Sequence, residues 1–114
     1  MSLSIKPMDS FLNGMQALGK EMPDVFSAFE HTENCVFAPG KLDTKTKHLI
    51  AIGICACIRC RHCALRHINE ALKAGATREE LIEAATVAAA LGGSPALSYV
   101  ATTFSEALDE LGVV

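Results

Sequence analysis

The sequence predicts an all-α protein of about six helices, folded as one domain over residues 1–114. Three observations point there. β-Branched residues are sparse and no stretch alternates apolar with polar residues, so no strand is predicted. Ala, Leu, Glu and Lys, all good helix formers, dominate the chain. Apolar residues recur at helical spacing, and the stretches between them carry caps, Gly and Pro.

The first helix is predicted over about residues 9–20, where Met8, Phe11, Leu12, Met15 and Leu18 form one apolar stripe. Pro23 suits the first turn of a second helix, which carries Val25, Phe26 and Phe29 and fades near Cys35. Residues 38–41 then read as a turn. Asp43 or Thr44 caps a third helix. Leu49, Ile50, Ile52 and Ile54 make it apolar nearly all round, which predicts a central helix, and Gly53 allows a neighbour close. A turn near Ile58-Arg59 separates it from a fourth helix over about residues 60–74, with Gly75 as its C′ residue. Thr77-Arg78-Glu79-Glu80 is a capping box that opens a fifth helix rich in alanine. Gly92-Gly93 ends it. Ser94 and Pro95 start a sixth, striped by Leu97, Val100, Phe104, Leu108 and Leu111.

Half of the residues are apolar and the mean hydropathy is +0.28. So short a chain keeps much of its surface outside its own core. Some of that apolar surface is expected to be buried between copies, in a homo-oligomer. The net charge of −3 and pI near 5.7 argue against nucleic acid as a partner. The first nine residues hold no apolar core of signal-peptide length. The longest apolar run, 49–58, is about half a membrane span. The expectation is a soluble, cytoplasmic protein with no membrane partner.

Four of the five cysteines fall within residues 55–63. A disulfide framework would spread them to tie distant segments. Clustered Cys and His in a cytosolic chain point instead to redox or metal chemistry. The central stretch is Cys60-Arg61-His62-Cys63-Ala64-Leu65-Arg66-His67. At about 100° per residue, Cys60, Cys63 and His67 fall within an arc of about 60° on one helical face. That face lies between the apolar side (Ala64, Leu65, Ile68, Ala71, Leu72) and the polar side (Arg66, Asn69, Glu70, Lys73), at the rim of the core.

A cysteine at a helix start meets unpaired N–H groups and the positive end of the macrodipole, and both favour thiolate. His67, one turn below Cys63, is placed to take a proton from its thiol. The reading is a redox dithiol: one cysteine attacks, the other resolves to a disulfide, and His67 shuttles the proton. It needs no bound cofactor. Two other readings stay open. One is a pair of buried structural cysteines with a surface histidine. The other is a zinc site on Cys60, Cys63, His67 and His48, although structural zinc usually joins well-separated ligand pairs. An antiparallel third and fourth helix would bring His48 level with residues 67–69. There it is either a second relay member or a solvent-facing histidine. His62 points away from the pair on the wheel. Cys55, Cys57 and Cys35 read as core or structural residues.

The chain resembles the carboxymuconolactone decarboxylase/AhpD-like family over residues 42–100, and more loosely over the N-terminal helices. The resemblance is carried by residues 42–51, by Cys60-x-His62-Cys63-x-x-x-His67, by residues 74–80, and by Gly92-Gly93-x-Pro95-Ala96-Leu97. It implies an all-helical fold assembled as a trimer or hexamer. It also implies reduction of peroxides through the dithiol, with electrons from a dithiol donor such as a lipoylated or thioredoxin-like protein. On that resemblance Cys63 meets the peroxide, Cys60 resolves, and His67 is a relay member. His62 matches the family's C-x-H-C form. The family places a glutamate eleven residues before the motif, and this chain has His48 there. A decarboxylase acting on a small organic acid is the third reading, ranked low because the family's decarboxylases lack the dithiol.

Overall fold

The computed structural model describes residues 6–114, with side chains from Ser10 onward, so Met8 of the first stripe lies outside the described side chains. The helices are α1 (Lys6–Glu21), α2 (Pro23–Phe37), α3 (Thr44–Ile58), α4 (Arg61–Lys73), α5 (Arg78–Tyr99) and α6 (Ser105–Glu110). A π-helical turn, Val100–Phe104, joins α5 to α6. No strand occurs among the described residues, and the class is all-α.

The caps fall where side chains can supply them. Asp43 accepts from the Thr46 N–H at 2.7 Å and starts α3. Thr77 and Glu80 form a complete capping box at the start of α5. Gly75 takes φ +96° after α4, a region an L side chain avoids.

α3 and α4 pack together as a hairpin, with α3 against α5 and α4 against α6 and the 100–104 turn. Ile52, Leu65, Ile68, Leu81, Phe104 and Leu108 are buried to within 2% at its centre. The fourth helix buries Ala64, Leu65, Ile68 and Ala71 with Leu72 at the edge, the face expected of it. At Gly53 a Cβ would stand 3.3 Å from the Ala84 carbonyl, so the glycine lets α3 and α5 touch.

Three expectations are corrected. The third helix is not central on all sides: Ile50, Ile54 and Ile58 are 49–62% exposed. Its second apolar face forms a groove of about 440 Å³ with Val87 and Leu91 of α5. Cys57 lies on that face and is exposed, as is Cys35; only Cys55 of the three is a core residue. The boundary between the fifth and sixth helices is a bend rather than a gap. Gly93 breaks the helical dihedrals with φ +70°, and Pro95 sits two residues on, where its missing N–H costs little. The helix then resumes within α5. The wider turn at 100–104 leaves carbonyls for side chains, and Ser105 Oγ donates to the Val100 carbonyl at 2.9 Å.

α1 and α2 lie outside this core. α2 has no buried residue, and Leu12, Leu18, Val25 and Phe29 are about half exposed or more. Their facing stripes line an open apolar cavity of about 370 Å³. An ion pair from Arg66 to Glu33 ties α2 to α4. The radius of gyration, 14.4 Å, exceeds the roughly 13 Å expected for this length because these helices stand off the core.

Candidate functional site

Cys60 is the N-cap of α4. α3 ends at Arg59, whose left-handed backbone (φ 59°, ψ 46°) turns the chain directly into the cap. A non-glycine residue pays about 1–2 kcal/mol for that conformation. Hydrogen bonds surround the turn. The Cys60 N–H donates to the Cys55 carbonyl at 3.2 Å. The Cys60 carbonyl accepts from Ala64 N–H at 3.1 Å and from the Tyr99 hydroxyl at 2.7 Å. Burial pushes the Tyr99 hydroxyl up to about 12, so it remains a donor throughout the neutral range. Arg61, the residue out of pattern on the wheel, pairs with Glu110 of α6. The motif is thus clamped by α3, by α5 and by α6.

Cys60 and Cys63 are joined as a disulfide, with 5.3 Å between their Cα atoms. The Cys60 sulfur also accepts from the Cys63 N–H at 3.3 Å. An amide aimed at sulfur at a helix start stabilises negative charge there.

The α3–α4 hairpin places His48 against His67. Their Nδ1 atoms are 3.0 Å apart, so one imidazole donates and the other accepts. His48 is 5% exposed, the sole buried polar residue among those described. Burial, first, and then the positive charge of its neighbours, His48 and Arg66, lower His67 to about 4; Glu70 opposes this weakly. Burial likewise lowers His48. The pair is neutral at pH 7. The hydrogen bond of His67 runs to His48, and His67 lies four residues past Cys63 on α4, on the same helical face.

His62 does not join this pair. It is exposed and stacks on Phe11 of α1, with centroids 5.6 Å apart and planes 20° from parallel. Among the described residues, no group of three or more His, Cys, Asp or Glu is arranged to hold a metal ion. In the bridged form the two sulfurs are joined to each other, and the two histidines meet through their Nδ1 atoms.

Sequence reasoning missed three residues. Tyr99 and Glu110 come from distant helices and carry no motif. Phe37, two residues past the predicted fading of α2, stacks on His48 (4.3 Å, 7°) and on His67 (5.2 Å, 34°). Its position at the end of an amphipathic helix gave no signal of that contact.

The family model for carboxymuconolactone decarboxylases matches residues 23–106. An uncharacterised protein of the cox locus of Paracoccus denitrificans is 31% identical over 109 residues, covering 96% of this chain and 95% of that one. A carboxymuconolactone decarboxylase family protein from Legionella pneumophila superposes with a TM-score of 0.85 at 30% identity, over 98% of this chain and 96% of its own. A second structure, from Thermotoga maritima, gives 0.73 at 25% identity over 92% and 97%. That protein is described as a family member with a possible part in an antioxidative response. From model match, relatives and fold together, the chain belongs to the carboxymuconolactone decarboxylase, AhpD-like, family.

Proposed function

We propose that the protein is a thiol-dependent peroxidase that cycles Cys60 and Cys63 between dithiol and disulfide. The observation that carries this reading is the bridged pair at a capped helix start, with His67 one turn below it. The antioxidative description of the Thermotoga maritima relative agrees with it.

The Cys63 thiolate attacks the outer peroxide oxygen. The O–O bond breaks, the alcohol or water leaves with a proton, and Cys63 becomes a sulfenic acid. The Cys60 sulfur, favoured as thiolate by the Cys63 amide, then attacks the Cys63 sulfur. The S–S bond forms and water leaves. An external dithiol returns two electrons and two protons, with Cys60 as the stabilised leaving group.

The histidines supply the proton traffic. In the bridged state burial and the positive neighbours outweigh Glu70, and a value of about 4 keeps His67 neutral. Opening the bridge places a thiolate nearby, which raises the affinity of His67 for a proton. His67 then accepts the Cys63 proton and shares it with His48. His48 thereby takes the place of the family's glutamate. The exposed apolar groove between α3 and α5 supports assembly of several copies.

The test is peroxide consumption at pH 7 with excess dihydrolipoamide as donor. Wild type consumes it catalytically, and C63S does not. Equal rates for wild type and C63S would reject the reading.

A further inference from the structure

Phe37 is the last residue of α2 and belongs to no motif. It is nonetheless held firmly. Thr44 Oγ1 donates to the Phe37 carbonyl at 2.9 Å. Lys47 Nζ donates to the Val36 and Ala38 carbonyls at 2.8 and 2.7 Å. The start of α3 thus grips the end of α2 on both sides of Phe37. α2 contributes no buried residue to the core, so this grip serves the position of its end rather than the core.

The grip lays the Phe37 ring flat on His48, 4.3 Å away and 7° from parallel, and against His67 at 5.2 Å. The two imidazoles are 5.2 Å apart and inclined by 39°. Three rings therefore form one cluster, with the aromatic hydrocarbon on the side of α2. We propose that Phe37 is a positioning residue: its ring covers the His48–His67 pair, excludes water from it, and confines its proton exchange to each other and to the Cys63 sulfur. The purpose of this cover rests on the peroxidase reading, but its effect on the histidines does not.

Burial is the largest cause that lowers both histidines, ahead of the charges around them, and Phe37 is the hydrocarbon ring stacked on the pair. On α4, Glu70 favours the imidazolium of His67 and Arg66 opposes it. On α2, Glu33 is occupied by Arg66. On α3, Lys47 is turned to the carbonyls at the end of α2. A covering hydrocarbon disfavours the charged imidazole by desolvation. Removing it should therefore restore proton affinity.

The experiment follows His48 and His67 by NMR, in full-length protein carrying ring-labelled histidine, across pH 3.5 to 8 with the disulfide intact. In wild type His67 titrates near 4. In F37A we expect its midpoint to rise by about one pH unit or more, a tenfold change in proton affinity. In F37Y, which keeps the ring, it should stay within a few tenths. An unmoved midpoint in F37A, or a rise in F37Y as large as in F37A, overturns the proposal. Should F37A lose its helical circular dichroism, F37N, which also strips the hydrocarbon from the pair, replaces it: a rise supports the proposal and no rise overturns it. Failure of peroxide turnover would reject the peroxidase and leave this titration readable.

Discussion

His48 is the buried half of the imidazole pair, and His48→Glu tests what that imidazole does. The side chain is 5% exposed, and its ring nitrogen is 3.0 Å from that of His67. A carboxylate there faces His67 at about 4 Å. Opposite charges at that distance attract by about 4 kcal/mol at an effective dielectric of 20, equal to about three pH units. Partial solvent access to His67 reduces this, so we expect a rise of about two units from its value near 4. The sign for stability follows. In wild type the folded value lies below the ordinary 6.5, so stability is complete above about 6.5 and falls as pH drops toward 4. The ceiling of that loss is about 3 kcal/mol, reduced by solvent access to roughly 2 kcal/mol. The variant should lose much less over the same window. Urea midpoints at pH 7 and pH 5 measure it, with the wild-type drop exceeding that of the variant. Peroxide turnover at pH 7 should be kept or raised. Equal acid losses, or complete loss of turnover in a folded variant, would refute this account of the pair.

Tyr99→Phe removes the donor from the Cys60 carbonyl and should cost about 1 kcal/mol in urea unfolding, with no change in the His67 titration. Phe104→Ala opens a cavity at a site 1% exposed and should cost about 3–5 kcal/mol by the same measure. Leu91 is 87% exposed on the α3–α5 groove, so Leu91→Lys should leave the stability of the chain within about 0.5 kcal/mol. If the groove joins copies of the chain, the same change should lower the mass in sedimentation velocity; an unchanged mass, or a monomeric wild type, would reject the groove as such a contact.

Much of the fold was legible because its signals are local. Asp43, the Thr77–Glu80 box and Gly75 act within one turn, and the wheel of α4 separates core from rim. Cys60 at the start of the fourth helix and His48 level with His67 followed from the same kind of reasoning, once the hairpin at Ile58-Arg59 was assumed; the structure makes Cys60 the cap itself. What stayed hidden depends on distant pairing. Tyr99 reaches Cys60 across 39 residues, and Glu110 reaches Arg61 across 49. No periodicity reports such pairs. α3 misled because an all-round apolar helix is equally suited to a core and to a surface shared with another copy. Gly93 and Pro95 marked the bend but not that the helix resumes beyond it.

The central claim is that Cys60 and Cys63 are a reacting pair. One equivalent of hydrogen peroxide added to the fully reduced protein, followed by rapid alkylation and mass spectrometry, tests it directly. The account predicts a protein lighter by two hydrogens before alkylation, with Cys60 and Cys63 alone protected and linked to each other. In C60S it predicts a sulfenic acid trapped on Cys63. Both cysteines remaining open to alkylation after peroxide, or the oxidation falling on the exposed Cys35 or Cys57, would contradict it.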